Sequence, residues 1–357
     1  MRLRLSETEL LLRDTARSIF ERHATYRRLM EIHASDSGYD AVLWSEIAKA
    51  GWLGLASSGQ SADLQLLGLL LKEFGRAAVA APFYQTACAT LILARLGQRV
   101  PSDAVAAVIR EPARLRQEAG GYRLSGGPYL IEWAATARFL LVPARIETRE
   151  GIFLVAVRLP NAGLAIPEIR AMDNERMGRV HFDNVEILDS DLITPAPIAE
   201  ERWARERRLL GVLRACEMVG GAGRMLELTV DYVSQRIQFD RPIGSFQAVQ
   251  HACADMKIRL DGAELATAEA LWKASCDESF AREGAVACYF TGQAAAFVAV
   301  NSAHLHGGIG FTTEYPLHLY FRRAKAQQLR LGPVHLQLEA AAAELLYRGR
   351  PPLGSVG

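Results

Sequence analysis

The chain has no excess of charge of either sign: 41 lysines and arginines stand against 40 aspartates and glutamates over 357 residues. A near-neutral surface offers no electrostatic reason to hold nucleic acid or an anionic membrane, and neither is expected as a partner. Cysteine is sparse. Cys88, Cys216, Cys253, Cys276 and Cys288 fall singly, mostly inside apolar helical patterns. That scatter speaks against a disulfide framework or a metal site and for buried thiols. The N-terminus carries no apolar core of signal-peptide length, and no run reads as membrane-spanning, which makes the cytoplasm the expected location.

What is present is half hydrophobic, with ordinary glycine and proline, and long enough for two or three packed units. Ser6 and Glu9 have the Ser-x-x-Glu spacing of a helix cap. From Ser6 to about Gly97 apolar residues recur at three and four, broken by "GWLGLASSG" (51–59) and "AAPF" (80–83), which predicts several short helices. Between about Val105 and Asp191 the pattern turns to short Val-rich or alternating runs, punctuated by Gly, Pro and Asn. Such runs predict a small antiparallel barrel or sandwich.

From Ala199 onward the helical period returns over roughly 201–235, 246–276, 281–306 and 314–346, the pattern of a bundle of four long amphipathic helices. The expected fold is mainly α with a central β domain. It divides into an N-terminal helical domain (1–104), a middle β-barrel (105–198) and a C-terminal helical bundle (199–357). No internal repeat accounts for this order.

Two stretches carry candidate chemistry. "YVSQRIQFDRPIGSFQ" (232–247) sets Arg236, Gln238 and Phe239 at the end of one helix, then a Pro-Ile-Gly turn with Ile243, then Phe246 and Gln247 at the start of the next. It reads either as a plain helix–loop–helix corner or as an arginine, an amide, an aromatic and a helix start near Ser245 converging on an anion. "HLHGGIGFTTEYP" (304–316) places Gly307, Gly308 and Gly310 before a helix. Glycines there let backbone approach a phosphate, but a plain loop explains them equally.

Taken together, in this order and separation, the two stretches resemble the acyl-CoA dehydrogenase family, whose pattern is close to R-x-Q-F-G-x-P-I-x-x-F-Q followed by Q-x-x-G-G-x-G-F-T-x-E-Y-P. "FDNVEI" (182–187) and "LWSEIAKAGWLGL" (43–55) extend the resemblance over nearly the whole chain. It implies the family's fold, FAD as cofactor and α,β-dehydrogenation of a CoA thioester. In the family a glutamate removes the proton beside the thioester carbonyl while FAD accepts the hydride. Electron-transfer flavoprotein is the implied electron acceptor.

The family's motif then exposes departures. The segment that usually reads Y-E-G-T falls on "RLGP", with Gly332 on the glycine and Leu331 where the glutamate would stand. Members that carry the base on the first helix of the bundle would place it at Leu210, with Glu206 and Glu217 the nearest carboxylates along that helix. In the barrel, Arg110 replaces a threonine, and Leu130, Ile131 and Glu132 fall on the segment that meets the flavin. A carboxylate at Glu132 would oppose an anionic reduced flavin. Asp240 and His304 replace the family's glycine and glutamine.

The resemblance therefore implies a non-catalytic subunit of a hetero-oligomeric, two-plus-two acyl-CoA dehydrogenase acting on bulky CoA thioesters such as steroid side chains. Arg236, Gln238, Phe239, Ile243, Phe246, Gln247, His304, Gly307 and Gly308 would contact FAD bound mainly by the catalytic partner, which would also hold the acyl-CoA. This chain's own catalytic residue is left unassigned. Three other readings stay open: a homo-oligomeric dehydrogenase using Glu206 or Glu217, a flavin-dependent monooxygenase on the same fold, and a scaffold that has lost FAD.

Overall fold

The structure is a computed structural model that describes residues 4–58, 61–98, 105–118, 120–161 and 163–346. Six helices come first: α1 (Glu7–His23), α2 (Tyr26–Ala34), α3 (Ala41–Lys49), α4 (Trp52–Ser57), α5 (Ser61–Ala77) and α6 (Phe83–Arg95). Seven strands follow: β1 (Ala106–Val108), β2 (Ala113–Glu118), β3 (Gly121–Glu132), β4 (Phe139–Arg145), β5 (Phe153–Arg158), β6 (Glu168–Arg170) and β7 (Arg176–Ile187). Then come α7 (Glu200–Gln235), a hairpin of β8 (Ile237–Gln238) and β9 (Arg241–Pro242), α8 (Gln247–Ser275), α9 (Ala281–His306), α10 (Leu317–Arg330) and α11 (Val334–Leu346).

Local chemistry starts these helices where the sequence says it should. The Ser6 hydroxyl accepts from the Glu9 amide at 3.3 Å, and the Glu9 carboxylate accepts from the Ser6 amide at 2.6 Å, closing the capping box. Asp40 caps α3 by accepting from Val42 and Leu43 at 3.0 and 3.1 Å. The expected break at 51–59 contains α4, because Gly51 at φ +69° turns the chain and lets a short helix restart.

Contacts divide the chain into two compact units. One takes its described residues from Met1–Tyr26, Gly68–Val79 and Arg208–Gly357, the other from Arg27–Leu67 and Ala80–Arg207. The second unit holds the curled seven-stranded sheet, in the order β1-β4-β2-β3-β7-β6 with β5 on β4. It is not wholly antiparallel as expected: β4 runs parallel to both β1 and β2. Alternation along a strand reports which face is buried and says nothing about a neighbour's direction. The two twelve-residue strands β3 and β7 pair with register shifts at Leu124, Gly126 and Tyr129 that let the sheet curl. Leu124, Leu140, Val142, Phe153, Val180 and Phe182 fill the core beneath it.

In the first unit α8, α10 and α11 pack on α9. The fourth long helix expected at 314–346 is two helices. Leu331 ends α10, Gly332 sits at φ +95°, and Pro333 precedes α11. The expectation that no run is long and apolar enough to cross a membrane also fails: 281–311, comprising α9 and the turn after it, passes on length and composition. Most of that run is buried by neighbouring helices, whose side chains fit against its alanines and glycines.

Helices α5 and α7 touch at backbone level. A methyl group built on Gly75 would lie 1.9 Å from the Glu217 carbonyl oxygen, and one on Gly220 would lie 1.8 Å from that of Lys72. Such reciprocal glycines fix how deeply the side chains between the two helices are enclosed. Cys216, on the same stretch of α7, is enclosed deeply enough that burial pushes its thiol up to about 12.

Candidate functional site

The candidate site begins where α7 runs out. Ile237 pairs with Pro242 and Gln238 with Arg241, so Phe239 and Asp240 form a two-residue turn. Both have positive φ, +54° and +60°, the geometry of a type I′ hairpin that asparagine and glycine adopt most easily. Two non-glycine residues there cost about 1–2 kcal/mol each. The turn thrusts Phe239 into solvent at 85% exposure. Arg236, Gln238, Asp240 and Gln247 are exposed beside it, and Ile243 and Phe246 are half-buried.

Two details differ from expectation: Arg236, Gln238 and Phe239 lie beyond α7, which ends at Gln235, and Ser245 does not open α8. Helix α8 starts at Gln247 with Phe246 as its N-cap residue, and the Ser245 hydroxyl donates back to the Pro242 carbonyl at 2.7 Å and caps nothing. Arg241 lies over the Phe246 ring at 4.0 Å and makes no pair with Asp240. The Ile243 amide donates to the Arg236 carbonyl at 2.8 Å, fixing the corner's exit.

The glycine stretch sits at the end of α9. Methyl groups built on Gly307 and Gly308 would meet no atom within 4 Å, and Gly307 has φ +64° with ψ −145°. Both are exposed, as is His304 one turn earlier. An aromatic stack, missed in the sequence reading, joins the two stretches. Tyr232 lies 4.4 Å from the His306 ring in a stacked arrangement, and Tyr315 leans on both at 6.0 and 4.9 Å. The available signal was position: Tyr232 is one turn before Arg236, and His306 immediately precedes Gly307. The hairpin and the glycine turn are therefore braced by one aromatic cluster.

His306 is 4% exposed, and its Nδ1 donates to the Ser302 carbonyl at 2.8 Å, leaving Nε2 buried without a partner. His318 is 3% exposed. Its Nε2 meets the Tyr26 hydroxyl at 2.9 Å, and that hydroxyl also donates to the Thr313 carbonyl. The shared hydroxyl proton requires Nε2–H as donor and leaves Nδ1 bare. Burial holds both imidazoles below the ordinary histidine value. The unfolded chain therefore binds these protons more readily than the folded one. Their contribution to stability is intact above the unfolded value of about 6.5 and is lost as pH falls through the folded values. Denaturant midpoints measured from neutral pH downward should decline below that point, and His306→Phe should flatten the slope. An unchanged slope in His306→Phe would contradict the assignment.

The carboxylates weighed as relocated bases are both engaged. Glu206 is 4% exposed and accepts from Arg95 Nε at 2.9 and 3.0 Å. Glu217 is 1% exposed, accepts from Arg214 at 2.9 Å and Gln327 at 2.6 Å, and lies 3.6 Å from Arg323. Leu210 is buried in α7, and Leu331 is half-buried at the end of α10, where Gln337 donates to its carbonyl at 3.1 Å. In the sheet, Glu132 is 5% exposed and accepts from Gln85, whose own carbonyl takes the Val108 amide at 3.2 Å. Its charge faces α6. Arg110 donates to the Tyr84 hydroxyl at 2.8 Å, and Leu130 is 61% exposed. Among the described residues no group of three or more His, Cys, Asp or Glu is placed to hold a metal.

Helices on both sides of a curled sheet in chain order, with a C-terminal bundle that carries this corner and glycine turn between its helices, define an acyl-CoA dehydrogenase fold. Residues 200–346 match the family model described as "Acyl-CoA dehydrogenase, C-terminal domain". The chain is 28% identical over 351 residues to acyl-CoA dehydrogenase IpdE2 of Mycolicibacterium smegmatis, covering 96% of this chain and all of that one. Among solved structures it matches a chain of the ChsE4-ChsE5 complex from Mycobacterium tuberculosis at TM-score 0.87 and 25% identity, covering 98% and 100% of the two chains. It also matches a Tcur3481-Tcur3483 steroid ACAD variant at TM-score 0.84 and 29% identity, covering 95% and 98%. Residues 200–346 thus carry the C-terminal domain of the acyl-CoA dehydrogenase family, and the fold is that of this family, whose members are FAD-dependent oxidoreductases.

The exposed residues fit such a cofactor in part. A guanidinium, two amides, an imidazole, an outward phenyl ring and two open glycines suit a polyphosphate joined to an aromatic base. The Asp240 carboxylate among them does not.

Proposed function

We propose that this chain is the non-catalytic subunit of a hetero-oligomeric acyl-CoA dehydrogenase. It lends the hairpin and the glycine turn to FAD whose redox ring belongs to a catalytic partner. The observation that carries this reading is a contrast within one chain. By the family's motif the position of the base falls on Leu331, and the two nearby helix carboxylates are closed in ion pairs. Arg236, Gln238, Phe239, Gln247, His304, Gly307 and Gly308 meanwhile stand open to solvent.

FAD, when bound, supplies the hydride acceptor for α,β-dehydrogenation of a CoA thioester, with electron-transfer flavoprotein as its proposed oxidant. Arg236 and the glycine turn bind anionic oxygens, Gln238 and Gln247 orient by amide hydrogen bonds, and Phe239 supplies a stacking face. The thioester is held mainly by the partner, and a bulky acyl group such as a steroid side chain is the substrate class. Support for a partner and for that class comes from the similar structures, a ChsE4-ChsE5 complex and a steroid ACAD. The engaged state of Glu206 and Glu217 disfavours the homo-oligomeric alternative.

Purified alone, the chain should be colourless; co-expressed with a catalytic acyl-CoA dehydrogenase chain from the same genome, it should yield a yellow hetero-oligomer. A yellow, active protein from this chain alone would refute the reading. In the assembled complex Arg236→Ala should lower flavin occupancy at least several-fold, since a charge-assisted contact to phosphate contributes about 1.5–3 kcal/mol. Flavin absorbance per protein mass after desalting measures it.

A further inference from the structure

The family has a glycine where this chain has Asp240, and the structure gives that aspartate no internal duty. Among the described residues no side chain pairs with it. Its neighbour Arg241 is committed to the face of Phe246 at 4.0 Å. An exposed carboxylate by itself says nothing. This one stands in a left-handed turn that glycine would fill without strain, next to Phe239 in the same conformation. The hairpin also exposes two large apolar side chains, Ile237 at 60% and Phe239 at 85%. A strained, apolar tip with one unpaired charge has the composition of a recognition knob and not of a solvated turn.

From these observations we propose that the β8–β9 tip docks on the partner subunit, with the Asp240 carboxylate taking a lysine or arginine of that chain while Ile237 buries against it and Phe239 keeps its place on the cofactor. The inference rests on the lending model above and adds to it the chemistry of the partner's facing surface. A cation supplied from the partner also removes the misfit left by the donor set. It would offset the repulsion between Asp240 and a bound dinucleotide anion, which Arg241 is turned away from doing.

The test titrates the purified catalytic chain into this chain, wild type and variant, at low and high salt. It reads association, flavin content and the melting temperature of this chain alone. Asp240→Gly should raise the melting temperature of the isolated chain by relieving the turn. Asp240→Asn should leave that temperature within error of wild type and weaken association about three- to fivefold at low salt, the difference fading at high salt. Asp240→Arg should weaken it more than about tenfold by placing like charges together. Equal association of wild type, Asp240→Asn and Asp240→Arg, with a normal yellow complex, would overturn this inference and leave the lending model standing. Failure of the wild-type chain to form any flavin-containing hetero-oligomer would overturn both.

Discussion

Glu217→Ala should destabilise the folded chain by about 3–5 kcal/mol, measured as a shift in the denaturant midpoint. The carboxylate is fully enclosed and faces the guanidiniums of Arg214 and Arg323, which are 1% and 7% exposed. Removing it leaves two buried cations without the anion that compensates them. It also cuts the Gln327 hydrogen bond that ties the last turn of α10 to α7. Glu217→Gln keeps the shape and loses the charge, and it should also unfold more readily than wild type. This separates a structural carboxylate from a catalytic one. A base would give Glu217→Gln a normal midpoint and abolish turnover, and that outcome would return Glu217 to the list of candidate bases.

Gly75→Ala and Gly220→Ala form the second large effect. Each methyl would be driven against backbone of the facing helix at under 2 Å, where no rotamer change can relieve it. The helices must separate, with a cost on the order of 3 kcal/mol or more and loss of the close packing around Cys216. Gly221→Ala is the internal control. Its methyl would sit 3.5 Å from the Gly75 carbonyl oxygen, an ordinary contact, and in a helix interior it should be neutral or slightly stabilising. Thermal melts of the three variants check the prediction. Comparable melting of all three would mean the two helices have freedom to shift.

The parts of this fold that were legible in the sequence are those in which cause and effect are neighbours. The Ser6–Glu9 cap closes within one turn, and the corner between two helices at 236–247 was marked by its own residues, although its hairpin, turning at Phe239 and Asp240, was not. The break at Leu331–Pro333 was equally local, a glycine and a proline in succession, and the amphipathic period on either side masked it. What stayed hidden depends on distant partners. Glu206 meets an arginine 111 positions away, and Glu217 meets a glutamine 110 positions away. No window of sequence could tell these closed carboxylates from open ones. Glu132 shows the same limit: its position suggested a charge facing a cofactor, and Gln85, 47 residues earlier, turns it toward α6. The candidate-site residues lie in two short contiguous stretches, so their grouping could be read locally, and most of them stand exposed.

Helix α9 has a bearing on how the chain reaches this state. It is apolar enough to rival a bilayer-spanning segment, and part of its cover comes from helices that follow it in sequence, α10 and α11, which arrive last. During synthesis α9 therefore emerges before its final cover exists. For that interval it is a sticky rod that must be shielded by α8 or by a chaperone. A message truncated before Leu317 would leave that rod permanently without the cover of α10 and α11, so the lesion's consequence would be an insoluble product and a proteolysis substrate, with loss of a binding surface only secondary.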